Sequence, residues 1–193
     1  MTTTIQPESP LSLMRDIVQA FTQFHGDLEI NGARSGGTVI CNIRAHCSDH
    51  PKIVGTRGVN IRALQSIARA MGERLGGEIT LNLLEAKPGV KLPLTNFKEN
   101  PQWDSGPATG LLQRLLRAVC FDPFTVEEVS ASPTTIFAIT PSAADFDAIR
   151  GTNHEAIHCI WHAIGKSQGR FILVEFIDPE TGAHVPAKGS AGR

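Results

Sequence analysis

The sequence predicts an α+β fold in which the order αββααβ occurs twice, each unit a three-stranded sheet covered by helices. Three observations predict it. First, the chain repeats itself. Thr38–Leu64 lies over Thr134–Ile160 without a gap at an offset of 96, and Thr38, Ile40, Ile43, Asp49, Ile53, Gly55, Thr56 and Ile61 match Thr134, Ile136, Ile139, Asp145, Ile149, Gly151, Thr152 and Ile157. Second, the apolar pattern alternates between helical and strand periods in the same order in both halves. Third, a turn bracketed by glycines, Gly55-Thr56-Arg57-Gly58, launches a long amphipathic stretch in the first half, and a related turn recurs in the second.

Each unit opens with a helix. Leu13, Ile17, Val18 and Phe21 keep helical spacing in the first, Leu111, Leu112, Leu115, Leu116 and Val119 in the second. Gly26 and Asp122-Pro123 break them. Two strands follow, "DLEINGARSGGTVICNIRAH" and "FTVEEVSASPTTIFAIT", turning at Gly36-Gly37 and at Ser132-Pro133. A short helical turn then leads to the glycine loop, a longer helix, and a last strand, "EITLNLL" or "FILVEFI". The boundaries read as a first domain over 10–87, a Pro/Gly-rich linker over 88–109, a second domain over 110–179 and a flexible tail over 180–193. The linker carries Leu92, Leu94, Phe97 and Trp103, apolar residues suited to packing across a domain.

Composition narrows the class. A chain that is 41% hydrophobic and 19% charged is globular and not disordered. No apolar run approaches the roughly 18 residues of a membrane span. The start "MTTTIQPESP" lacks the basic-then-apolar layout of a signal peptide, so a cytoplasmic protein is expected. Cys41, Cys47, Cys120 and Cys159 form no CxxC pair and read as free buried thiols. A net charge of −1 argues against strong nonspecific binding to nucleic acid.

The distribution of charge says more than the total. Between Arg44 and Arg74 the basic residues Arg44, Lys52, Arg57, Arg62, Arg69 and Arg74 face only Asp49 and Glu73, a local net charge of +4. The matching window of the second half, Thr140–Arg170, is neutral. Arg57 sits where a helix begins, and the free N–H groups and dipole of a helix start favour an anion. Glycines on either side allow close approach of a backbone. Arg62 and Arg69, seven apart, point the same way along that helix.

Gly55-Thr56-Arg57-Gly58, the apolar Ile53-Val54 before it and the helix after it resemble the GXXG loop of a KH domain. The order αββααβ resembles the bacterial, type II, form of that fold. The resemblance spans about Leu11–Glu85 and, more weakly, Gly110–Asp178. It implies a nonenzymatic protein that binds single-stranded RNA, with the loop on the backbone and a groove for about four nucleotides. On this chain it implies Gly55, Gly58, Thr56 and Arg57 as the grip, and the local charge adds Lys52, Arg62 and Arg69 as the expected lining of the groove. The second unit departs from the pattern. At the offset of 96, His154 stands for the second glycine and Asn153 for the arginine, so a KH-like domain that has lost or changed its grip is expected there. Such a domain packs against the first half, a partner or a second copy. Two other readings share these residues: a protein-interaction or oligomerisation module without nucleic-acid binding, and a single-stranded DNA binder.

His154, His158 and His162 are spaced four apart, but no nearby Asp, Glu or Cys completes a metal site, and none is expected. The same alignment puts His158, His162 and Trp161 on the exposed face. There Trp161 would stack a base or anchor a partner, while burial under the linker is an equal alternative. No phosphate loop of the G-x-x-x-x-G-K-[ST] type, G-x-S-x-G elbow or HExxH helix is present. Neither catalytic residue nor cofactor is expected.

Overall fold

The computed structural model describes residues 9–88, 105–131, 134–150 and 152–185. The fold is mixed α+β. The first half runs α1 (Pro10–Gln19), β1 (Glu29–Ser35), β2 (Thr38–Arg44), α2 (His50–Val54), a 3-10 turn at Thr56–Gly58, α3 (Val59–Arg74) and β3 (Glu78–Leu83). The second runs α4 (Ser105–Val119), β4 (Thr125–Ala131), β5 (Thr134–Thr140), α5 (Ala143–Ile149), α6 (Thr152–Ser167), β6 (Phe171–Ile177) and β7 (His184–Val185). β1 pairs antiparallel with β2 and β2 parallel with β3; β4 pairs antiparallel with β5 and β5 parallel with β6. Two expected boundaries move. The linker over 88–109 gives way to α4 at Ser105, because Pro107 lies in the first turn, where its missing N–H breaks no helical bond. Residues 89–104, with the apolar linker positions, lie outside the described residues, as do Ser132-Pro133. Within the tail expected over 180–193, His184–Val185 form a fourth strand of the second sheet, Val185 pairing with Phe176 and His184 with Ile177; residues 186–193 lie outside the described residues.

The halves are built with the same internal devices. Asp49 is buried and accepts hydrogen bonds from the Gln23 and Phe24 amides, at 2.9 and 2.7 Å, just past the end of α1. Asp145, 96 positions later, is buried and accepts from the Phe121 and Asp122 amides, at 2.9 and 2.7 Å, just past the end of α4. A carboxylate so deep is stable only when hydrogen-bonded, and here it satisfies the amides of the segment that leaves each helix. At Gly72 in α3 and Gly165 in α6 each long helix comes close to the backbone of the strand after it. A Cβ on Gly72 would fall 2.6 Å from the Ile79 nitrogen, and one on Gly165 would fall 2.8 Å from the Ile172 nitrogen.

The two helical layers face each other. α3 packs against α6 and α4, and α1 against α4. The buried residues of both halves form one continuous hydrophobic cluster, from Leu13, Ile17, Leu64 and Met71 to Leu112, Leu116, Ile160 and Trp161. Reciprocal contacts tie the helix ends. Arg74, closing α3, donates to the Arg117 carbonyl of α4 at 3.1 Å, and Ser167, closing α6, donates to the Ala20 carbonyl after α1 at 3.1 Å. The end of each long helix reaches the end of the other half's first helix, which is the pattern of an approximate twofold. Asp16 and Arg114 pair across the same seam.

Candidate nucleic-acid interface

The loop is built by two glycines and one strained arginine. Gly55 ends α2 with φ 72° and ψ 171°, and Gly58 precedes α3 with φ 77° and ψ 20°. Between them Arg57 holds φ 54° and ψ 26°, the left-handed region that side chains other than glycine enter at a cost. The Gly55 amide donates to Pro51, the Gly58 amide to Gly55 and the Val59 amide to Thr56. The Thr56 and Arg57 side chains are exposed, at the positive end of a helix 16 residues long. A phosphate placed here would meet the positive end of the helix dipole, a hydroxyl and a guanidinium.

The other expected contacts are engaged within the chain. Lys52 lies 2.8 Å from the Asp49 carboxylate, with its side chain largely buried. Arg62 reaches back from α3 to donate from Nη1 to the Arg57 carbonyl at 2.8 Å. Arg69 projects into solvent and lies 3.8 Å from Glu73 on the next turn. The structure therefore brings Thr56 and Arg57 together with both glycines, and sets Arg62 against the loop itself. Asn60, which charge counting passes over, donates to the Lys52 carbonyl at 2.8 Å and bridges α2 to α3. A Gly followed five residues later by an amide side chain was the available signal.

Among the described residues the second half has no counterpart of this loop. Asp145 corresponds to Asp49 at 96, but α6 begins at Thr152 where α3 begins at Val59, and Gly165 and Ile172 correspond to Gly72 and Ile79, all at 93. The hydrogen bonds agree: Gln65 donates to the Leu81 carbonyl, and the His158 imidazole pairs with the Val174 carbonyl. Three residues are therefore missing between α5 and α6, those corresponding to Thr56, Arg57 and Gly58. The gapless reading of His154 as the second glycine and Asn153 as the arginine is corrected: both lie in the first turn of α6. Gly151 lies outside the described residues.

The same slip relocates the aromatic and histidine positions. Trp161 corresponds to Ala68, and it is 0% exposed in the core, not on the outer face. His154 takes the place of Ile61 and is 2% exposed, edge-on to the Phe176 ring at 4.6 Å. Burial and the neighbouring His158 push its pKa down to about 4. His158 is half-buried, and only His162 of the three is exposed. Among the described residues no group of His, Cys, Asp and Glu is placed to hold a metal ion. All four cysteines are free. Cys41 and Cys120 are buried, and burial pushes their thiols up to about 11 and about 12, while Cys47 and Cys159 are half-buried. A hollow of about 450 Å³ lies at the far end of α3, between the β1–β2 hairpin and the turn into β3, away from the loop.

The two sheets differ on their outer faces. In the first, Asn31, Asn42 and Asn82 form a cross-strand row and Thr38 donates to Glu78. In the second, Val129, Ile136 and Leu173 form an apolar row with Phe171 beside it, and Val129 and Phe171 are 57% and 59% exposed. Among the described residues no helix is long and apolar enough to cross a membrane. No protein-family model and no curated protein matches the chain.

Proposed function

We propose that the protein binds single-stranded RNA by its phosphate backbone through Gly55–Gly58, in the manner of a KH domain, and that its role is binding without catalysis. The observation that carries this reading is the loop itself: Thr56 and Arg57, both exposed, at the start of a long helix, between two positive-φ glycines that admit a close backbone. The order α1-β1-β2-α2-loop-α3-β3 around it supports the same reading. The second half, lacking the loop, serves as the packing partner that covers the helices of the first. A Thr56→Asp, Arg57→Asp double variant tests this. Both side chains are exposed, so folding should survive. Fluorescence anisotropy with labelled RNA and DNA oligomers should show binding that falls steeply with salt in the wild type and is lost in the variant. Retained binding by the folded variant would sink the reading, and an equal affinity for DNA would widen the ligand class.

A second reading, a protein-interaction module, is favoured by the apolar outer face of the second sheet. It predicts association that is insensitive to salt and lost on Val129→Lys or Phe171→Ser, with the loop variant unaffected.

A further inference from the structure

We propose that Arg62 is a positioning residue, acting on a bound phosphate through the Arg57 peptide and not by touching the phosphate. This rests on the reading of Gly55–Gly58 as the phosphate grip. Arg57 is, among the described residues, the one non-glycine residue with positive φ. That conformation places Thr56 and Arg57 on the exposed side of the loop, and it needs support because the arginine Cβ opposes it. The support comes from α3. The Arg62 guanidinium donates to the Arg57 carbonyl at 2.8 Å, which fixes the peptide following Arg57. A charged donor on a carbonyl makes one of the stronger hydrogen bonds a surface loop can form.

The glycines fit these braces. A Cβ on Gly58 would stand 3.1 Å from the Arg62 Nη1, and a Cβ on Gly55 would stand 2.7 Å from the Asn60 Cγ. Asn60 in turn holds the Lys52 carbonyl at the end of α2. Each glycine of the loop thus leaves room for one α3 side chain that reaches back over it. The pair Gly55 with Asn60 holds one end of the loop and the pair Gly58 with Arg62 holds the other. The loop is set for an anion before one arrives, and a preorganised site binds with less lost on ordering. The Arg62 Nη1 donor is already committed to the Arg57 carbonyl in the free protein.

The test is Arg62→Met, which keeps the apolar stem and removes charge and donors at an exposed position. With a fluorescein-labelled single-stranded RNA of mixed sequence, affinity should fall about fivefold, the scale of one net hydrogen bond at a solvent-exposed position. The slope of log affinity against log salt should stay unchanged. In the Arg57→Gly background the same substitution should cost less than about twofold, because glycine holds the left-handed conformation unaided. In the free protein, ¹⁵N relaxation should show residues 55–58 gaining motion in Arg62→Met. A salt slope reduced by about one, as for a lost phosphate contact, would overturn the proposal. So would an undiminished loss in the Arg57→Gly background, or a loop equally ordered without Arg62. Should the wild type bind no RNA, the reading of the loop fails, and the relaxation measurement alone still decides whether Arg62 sets the loop.

Discussion

His154 is a buried imidazole resting on Phe176, and its Nε2 finds no hydrogen-bond partner among the described residues. Its folded pKa of about 4 lies below the ordinary 6.5, so between those values the unfolded chain binds more protons. Its contribution is therefore favourable above about pH 6.5 and declines as pH falls toward 4. A His154→Leu variant is expected to fold, with stability near neutrality within about 1.5 kcal/mol of wild type, as for a swap of similar volume. Denaturant midpoints followed from neutral pH to about 4.5 should fall less steeply than in wild type; parallel curves would show that His154 does not titrate on unfolding. At this scale the sequence conveyed chemistry but not partners. Charge counting grouped Lys52 with Arg57, whereas the Asp49 carboxylate holds the lysine and leaves the arginine exposed. Histidine is polar enough to be expected outside and flat enough to pack inside, and no local pattern distinguishes the two.

At the scale of the element, Gly72 and Gly165 set how closely α3 and α6 approach β3 and β6. A Cβ at either would meet backbone, which cannot rotate aside as a side chain can. Gly72→Ala and Gly165→Ala are each expected to destabilise by about 1–3 kcal/mol, the range for overpacking. Chemical denaturation should find comparable losses, since the two sites are the same device; a neutral substitution at either would mean that the helix slides without cost. The elements and their order were legible, because strand alternation and helical spacing are strong signals over seven to sixteen residues. The missing three residues were not. A slip of three positions turns a helix by about 300°, so the apolar stripe returns to within about 60° of where it was. The gapless alignment therefore still looked like a helix laid over a helix. It put Trp161 beside Gln65, where the structure sets it in the place of Ala68, and it made a shortened loop look like a substituted one.

At the scale of the whole molecule, the question the sequence left open was whether the two units are separate bodies. The unbroken cluster joining Leu64 and Met71 to Leu116 and Trp161, and the crossed contacts of Arg74 and Ser167, make each half the cover of the other's helices. A shared core of this kind unfolds as one unit. Damage planted far from the seam should then be felt everywhere. Ile43 lies in β2 of the first sheet and is fully buried, while Trp161 reports from the core of α6 in the second half. Ile43→Ala should lower stability by about 2–5 kcal/mol. With Trp103 replaced by Phe so that Trp161 is the sole tryptophan, the fluorescence and far-UV circular dichroism transitions should move together to lower denaturant by the same amount. A fluorescence midpoint left in place while the circular dichroism splits into two steps would show the halves to be independent. The loop at Gly55–Gly58 would then be carried by a unit of its own, and the second half would lose the supporting role assigned to it here.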